Sequence, residues 1–206
     1  MPGGAARGSG TLAHTTEPNT LRAHLLQAAT GILERVPERL RPEIYVLAFN
    51  VWRVGADHRR PYVDIGHNTE SRYARARTET DPQEARWNYA YWLLEGFERL
   101  GDVPEDPLGG PLFEAEARAL GLWYDGAFDL DRVLADDLLR ERSARLHGHF
   151  QDAVVTLARD LHASGAVERA FGRPLPVVVF DMDCPGWEEE ATAAANPAGL
   201  IRDVLA

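Results

Sequence analysis

One segment, residues 43–54, constrains the fold more than any other because apolar residues occupy both faces of an extended chain. Side chains of a β-strand alternate between the two faces of its sheet, so a strand that is apolar on both must be covered on both. The segment therefore predicts a central strand between two layers. One predicted face comprises Ile44, Val46, Ala48 and Trp52, and the other comprises Tyr45, Leu47, Phe49 and Val51.

Two further strands are predicted. Residues 55–61 form a polar turn, and residues 62–68 return as a strand in which Val63 and Ile65 point the same way. This arrangement predicts an antiparallel hairpin. A late strand over residues 177–181 follows Pro174 and Pro176.

Periodic apolar residues predict helices over most of the remaining chain. The first begins after Asn19 or Thr20, either of which can cap it, and ends at Pro37. The second begins at Asp81, a strong capping residue, and continues to Gly101. Further predicted helices span residues 113–122, 130–164 and 198–205.

The order helix, hairpin, helices, strand and helix predicts an α+β fold, with a small antiparallel sheet covered by helices and an α-helical middle section. Gly148 is a candidate break in the longest helix. Residues 20–206 suit one domain. Residues 1–19 are rich in Gly, Ala and Thr and are predicted to be disordered.

Composition narrows the chemistry. All 22 basic residues are arginine, which excludes Schiff-base and P-loop mechanisms because both need a lysine. The single cysteine, Cys184, excludes an intrachain disulfide and favours a reducing cytoplasm. No apolar run approaches the roughly 18 residues of a membrane span. We therefore expect a cytoplasmic protein without a membrane segment, and no cofactor is indicated.

The net charge of −10 is unevenly distributed. Residues 95–141 carry 13 acids and four arginines, which gives −9. Such a surface repels phosphate backbones, so nucleic-acid binding is not expected, whereas a basic protein partner is favoured. Asp136 and Asp137 are the candidate contact residues. The alternative is that the acids only keep a helical surface soluble.

The late strand leads into Asp181-Met182-Asp183-Cys184. This order resembles the first motif of haloacid-dehalogenase-type phosphatases, in which the first Asp is the nucleophile and the second an acid/base. In that family the motif comes first in the domain, whereas here only 22 residues follow Cys184, and Pro185 replaces the expected Thr. The motif is therefore predicted not to be a phosphatase centre, and a turn at a strand end explains it.

Other candidate sites each have a structural alternative. His67 and Glu70 could form an acid/base pair or bind a metal, but Asn68 or Thr69 as a helix cap also explains the segment. His147 and His149 point about 200° apart on a helix and are not expected to share an ion. Cys184 has no histidine nearby in the sequence, so a reactive thiol is not predicted.

Four aromatic residues crowd residues 87–92 and cannot all face one side of a helix. Most are expected in the core. Tyr89 and Trp92 are the candidates for surface interface anchors, because aromatic residues often serve that role.

Short motifs suggest a family. The strand at residues 43–49, the run His67-Asn68-Thr69-Glu70, Ala85-Arg86-Trp87 with Tyr91-Trp92, and Asn196-Pro197 resemble the bacterial domain-of-unknown-function family number 4303. The resemblance implies no chemistry, although some members look like parts of toxin–immunity loci, which implies a stoichiometric binder. We therefore expect a non-enzymatic, immunity-like or accessory interaction protein. The alternative is a metal-assisted hydrolase that uses Asp181, Asp183 and His67.

Overall fold

The computed structural model describes residues 20–92, 98–202 and 204. The prediction of disorder for residues 1–19 lies outside the described residues. The elements in chain order are α1 (Leu21–Arg35), β1 (Ile44–Arg53), β2 (Pro61–Thr69), α2 (Glu70–Ala76), α3 (Pro82–Trp87), a 3₁₀ turn (Tyr89–Tyr91), β3 (Glu98–Gly101), α4 (Gly109–Ala119), α5 (Leu130–Ala135), α6 (Asp137–Ala163), α7 (Ala166–Phe171), β4 (Val177–Phe180) and α8 (Trp187–Ala195).

The α+β prediction is confirmed. Four strands form one sheet in the order β3-β2-β1-β4. The predicted hairpin is present, because β1 and β2 are antiparallel, and β3 extends the sheet in the same sense. The sheet is nevertheless mixed, since β4 pairs with β1 in parallel. That parallel pair places the carboxyl ends of β1 and β4 at the same edge.

The central strand β1 is covered on both faces, as predicted. Leu47 and Phe49 belong to the larger core with α1 and α6, whereas Tyr45 belongs to a smaller cluster that packs against Trp87. The expectation that Tyr45 shares a face with Leu47 and Phe49 is wrong. A register shift between Ile44 and Val46 accounts for the difference, because it places Tyr45 beside Val46 rather than opposite it.

The predicted helix from Asp81 to Gly101 is also wrong on both sides of residues 93–97, and its part at residues 93–97 lies outside the described residues. Its start is correct, since the Asp81 side chain caps α3, but α3 ends at Trp87. Leu100 instead lies in β3 and pairs with Val63. A continuous helix could not turn all of its crowded aromatic residues toward one side, and the observed break lets them fold back onto the sheet.

Three other helix boundaries differ from prediction. The long helical segment breaks at Asp136 and not at Gly148, because extended Asp136 ends α5 and caps α6. The helix expected at residues 113–122 is α4, which lies a few residues earlier. No helix is present at residues 198–202, and the last helix is α8. Asn196 ends α8 because its side chain binds both the N–H and the C=O of Val177 in β4.

None of the described helices combines the length and the apolar character that a bilayer span requires.

Candidate functional site

The candidate site lies where β1 and β4 end together. Asp181 follows β4 directly, and Arg53 is the last residue of β1. Helix α6 crosses this edge and presents His147 and Gln151, which are four residues apart and therefore on one helical face. Cys184 completes the group from the turn after β4. The group is therefore held by the sheet and by the longest helix.

The Asp181 carboxylate is the centre of the site and is fully buried. Its Oδ2 accepts from Nε2 of His147 at 2.7 Å and from the side-chain amide of Gln151 at 2.8 Å, and its Oδ1 accepts from the backbone N–H of Asp183 at 3.0 Å. Burial by itself raises the pKa of a carboxyl group, but these donors outweigh it and hold the pKa of Asp181 below its usual value. Asp181 is therefore an anion inside the protein.

Cys184 approaches the same nitrogen. Its Sγ lies 3.6 Å from Nε2 of His147. No histidine is near Cys184 in the sequence, but folding brings His147 to it from α6. Burial and the Asp181 carboxylate nevertheless raise the pKa of the thiol. The thiol therefore stays protonated at neutral pH.

This arrangement differs from a nucleophilic triad. In a triad the carboxylate and the nucleophile contact opposite nitrogens of the imidazole, so that the ring can relay a proton. Here Asp181 and Cys184 both face Nε2 of His147. One nitrogen, one oxygen and one sulfur thus converge, with all three atoms within 4.8 Å of one another. These three atoms are of types that can act as metal ligands.

A second histidine supports the first. The His58 ring stacks on His147 with ring centres 4.5 Å apart, and its Nδ1 lies 3.0 Å from Oγ of Ser143. Tyr124 contacts the same hydroxyl. Burial, together with the nearby His147 and Arg53, lowers the pKa of His58 to about 4. His58 is therefore neutral at pH 7 and fixes the His147 ring without adding charge.

The two carboxylates of Asp181-Met182-Asp183 point to different partners. Asp183 forms an ion pair with Arg53, and its side chain is more than half exposed. Asp181 instead faces α6. The pair does not present two acids to one ion, so the geometry agrees with the prediction that this is not a phosphatase centre. That prediction still awaits an activity assay.

His67 and Glu70 are not part of this site. His67 lies opposite Leu47, which pairs with Val177 at the start of β4, whereas Asp181 follows the other end of that strand. Four residues of strand separate the two levels by about 13 Å. The proposed grouping of His67 with Asp181 and Asp183 is therefore not observed.

The segment around His67 has the structural role that was offered as the alternative. The Thr69 hydroxyl caps α2 by accepting from the N–H of Arg72. Glu70 pairs with Arg86 at 2.9 Å. Burial lowers the pKa of His67. These contacts account for the segment as a helix start.

The aromatic candidates for a binding surface lie mainly in the core. Trp92 is 4% exposed, packs on Phe180 and donates its indole N–H to the carbonyl of Arg86. Tyr89 is half-buried and also packs on Phe180. Trp92 is therefore not a surface anchor, because the smaller core cluster uses it to cover the sheet.

Many acidic side chains of the middle section, residues 95–141, form separate contacts with nearby groups. Asp136 caps α6, and Asp137 pairs with Arg140. Several other acids in the section pair with basic groups outside it, which lowers the negative field expected from the sequence. These pairs are Glu98 with Arg35, Asp102 with Arg60, Asp106 with His24, and Glu116 with His149. The last pair also confirms that His147 and His149 face different partners.

Exposed leucines were not anticipated from the sequence. Leu130, Leu134 and Leu138 are 45%, 57% and 79% exposed, on α5 and the first turn of α6. A groove of about 220 Å³ adjoins Leu138, lined in part by Phe128 and Val133. The spacing of four residues between these leucines predicts the buried stripe of one long helix, and their exposure shows that this prediction is wrong for all three.

Comparisons with protein-family models, with curated proteins and with solved structures found no match. The resemblance to family number 4303 stays a prediction.

Proposed function

We propose that this protein is a non-enzymatic, cytoplasmic interaction factor that binds a partner protein through α5 and the start of α6. The observation that carries the proposal is the concentration of exposed apolar side chains there. Among the described residues, six large apolar side chains are exposed, and three of them, Leu130, Leu134 and Leu138, lie within nine residues. Isolated exposed leucines are ordinary, but neighbouring ones are typical of interaction sites.

The charges around these leucines favour one kind of partner. Asp131 and Asp137 lie in the first turns of α5 and α6, and Asp129 and Asp136 cap the same helices. All four side chains belong to exposed residues. We therefore infer a partner that presents an apolar surface flanked by arginine or lysine, since such a surface matches both the leucines and the carboxylates.

The groove beside Leu138 offers a place for an anchoring side chain. Its volume of about 220 Å³ suits one large side chain, and Asp129 and Asp136 lie on its wall with Phe128 and Val133. A long arginine or lysine side chain could lay its apolar stem on the aromatic ring and place its charge near the carboxylates. Arg132 and Arg142 also line the groove, so the orientation of the partner's charge matters.

The test is affinity capture from the native host with three forms of the full chain: wild type, the double variant Leu134→Ser/Leu138→Ser, and the control Leu120→Ser. Leu120 is a suitable control because it is 55% exposed but follows α4, outside the proposed surface. We expect a basic partner whose recovery falls at least about 10-fold with the double variant and hardly at all with the control. Equal recovery by all three forms contradicts the proposal, as does an equal loss with Leu120→Ser.

Salt dependence separates the two parts of the surface. The double variant Asp131→Lys/Asp137→Lys should bind the partner protein more slowly than the wild type. Its association rate should also depend less on salt, because attraction between surface charges is screened within about 10 Å at 0.1 M salt. An association rate that changes neither with salt nor with the charge reversal would contradict the proposal that the partner is basic. It would not contradict the apolar contact through the leucines.

A further inference from the structure

A buried set of three metal-ligand types lies outside the proposed docking surface. Nε2 of His147, Oδ2 of Asp181 and Sγ of Cys184 come from α6 and from the end of β4, and they face one another within 4.8 Å. His147 is buried, Asp181 is fully buried and Cys184 is half-buried. Surface acids gather by chance, but buried donors of three different elements rarely do so without a structural reason.

The spacing of the nitrogen and the sulfur is close to that of a tetrahedral zinc site, whereas the carboxylate oxygen would have to move. With zinc bonds of about 2.0 Å to nitrogen or oxygen and about 2.3 Å to sulfur, tetrahedral geometry separates the nitrogen and sulfur by about 3.5 Å and the nitrogen and oxygen by about 3.3 Å. The distance from Nε2 of His147 to Sγ of Cys184 is 3.6 Å. The distance to Oδ2 of Asp181 is 2.7 Å, so that hydrogen bond must open by about 0.6 Å.

The donor types indicate which ions fit. Magnesium and calcium take oxygen ligands almost exclusively, whereas zinc and cobalt accept imidazole and thiolate. Charge also balances, because Cys184 binds as a thiolate after releasing its proton to solvent, and one divalent ion offsets that thiolate and the Asp181 carboxylate. Nε2 of His147 binds without a proton, so the ring hydrogen moves to Nδ1. The buried site therefore stays neutral overall, which avoids the cost of an unpaired buried charge.

The surroundings hold the ligands in place. The Asp183 N–H fixes the free oxygen of Asp181, and the stacked His58 ring fixes the plane of His147. Gln151 lies on the same side of α6, and rotation of its amide would present an oxygen in place of the N–H that now contacts Asp181. A hydrogen bond to a ligating carboxylate, such as that from the Asp183 N–H, is a usual support of a metal centre.

We infer that His147, Asp181 and Cys184 form a three-ligand site for a zinc-class divalent ion. The fourth ligand is the side-chain amide oxygen of Gln151 or a water molecule. This site is independent of the docking surface on α5, and either can exist without the other.

Cobalt titration of the full-length protein tests the site, since Co²⁺ reports its ligands spectroscopically. We expect one Co²⁺ per chain, visible bands of a tetrahedral ion and a near-ultraviolet band from a cobalt–thiolate bond, all displaced by one equivalent of Zn²⁺. Cys184→Ala should remove the thiolate band. It should also weaken Zn²⁺ binding by at least about 100-fold, because changes to outer contacts alone cost about 10- to 100-fold.

His149→Ala is the matched control, because His149 lies two residues from His147 and faces Glu116. It should leave the cobalt spectrum unchanged, whereas His147→Gln should reduce the visible bands. The absence of a thiolate band overturns the inference, as does an unchanged band in Cys184→Ala or an equal loss in His149→Ala. Displacement of Co²⁺ by equimolar Mg²⁺ would also overturn it, since it indicates an all-oxygen site. Cys184 is half-buried, so Cys184→Ala keeps the test decisive even if His147→Gln fails to fold.

Discussion

Two buried histidine–aspartate pairs with the same basic geometry lie in the described part of the chain. Nε2 of His24 lies 2.7 Å from Oδ1 of Asp106, and Nε2 of His147 lies 2.7 Å from Oδ2 of Asp181. All four residues are buried. The two pairs differ in the other groups that contact the aspartate carboxylate. Because of that difference, one pair has a structural role and the other is a candidate set of metal ligands.

Asp106 is surrounded by backbone. It accepts from the N–H groups of Gly101 and Gly109 at 2.9 and 3.1 Å, so the pair fastens the loop between β3 and α4 onto α1. A side chain at Gly109 would stand 2.6 Å from the carbonyl oxygen of Gly101. Both oxygens of Asp106 therefore already accept from backbone N–H groups, which an ion would have to displace.

Asp181 is surrounded mainly by side chains. Cys184 supplies a sulfur, Gln151 an amide and His58 a second ring. Side chains can rotate and exchange protons, whereas the backbone N–H groups at Asp106 can only donate. The same pair of residue types can therefore be a fixed structural contact in one place and a candidate metal site in another, depending on the neighbouring groups.

The largest expected effect is at the structural pair. Asp106→Ala leaves His24 and two backbone N–H groups without their acceptor, and we expect a loss of about 3–5 kcal/mol in the free energy of unfolding. Urea denaturation measures it. Zn²⁺ should stabilise the wild type and this variant by the same amount, so the difference between them should persist. A difference that shrinks on adding Zn²⁺ would show that the two pairs are not distinct in the way described.

Gly109→Ala tests the tight packing around Asp106 with a smaller change. The added methyl group meets the Gly101 carbonyl oxygen, so we expect a loss of about 1–3 kcal/mol, as for other overpacked sites. The control is Gly148→Ala in α6, where the new methyl group meets nothing within 4 Å and should gain about 1 kcal/mol from helix propensity. Both values come from thermal or urea unfolding. Equal effects at the two glycines would contradict the packing described around Asp106.

The pH dependence of the free energy of unfolding tests the environment of His58, which stacks on the histidine that pairs with Asp181. His58 has an ordinary pKa of 6.5 that falls to about 4 in the folded protein. The unfolded chain therefore binds this proton more tightly, and the stabilisation present above pH 6.5 is lost as the pH falls toward 4. His58→Gln should flatten the fall in stability measured by urea unfolding across this window.

Some slope should persist in His58→Gln, because burial also lowers the pKa of His67 and His162. A variant with the same slope as the wild type would contradict a neutral His58 stacked on His147.

The smallest effect on stability is expected for Cys184→Ala. The thiol is half-buried and makes a long contact, so its loss should change the free energy of unfolding by less than about 1 kcal/mol. The same variant should lose the rise in melting temperature that Zn²⁺ gives the wild type. A scanning calorimetry series with and without Zn²⁺ measures both. A rise that survives in Cys184→Ala would place the ion elsewhere.

The sheet was predictable to a large extent. Strand β1 is apolar on both faces, and β4 is a short apolar run after two prolines, so their extended structure follows from local pattern. The parallel pairing of β4 with β1 does not, because residues 130 apart meet at Arg53 and Asp183. Local sequence carries no information on that pairing.

The proposed ligand set was only partly predictable. The sequence places Asp181 as an acid at a strand end, but His147 and Cys184 lie 37 residues apart in the sequence. The available signal was on α6, where His147 and Gln151 interrupt a buried stripe of Leu146, Phe150 and Val154. Polar residues in such a stripe need a buried partner. The sequence could not identify that partner, since the position of α6 over β4 depends on the whole core.

Zinc-edge anomalous diffraction from crystals grown with one equivalent of Zn²⁺ is the most direct test of the difference between the two pairs. The account predicts one peak about 2.0–2.3 Å from Nε2 of His147, Oδ2 of Asp181 and Sγ of Cys184, and none at His24 and Asp106. Absence of a peak at the first site, or a peak at the second, would contradict it.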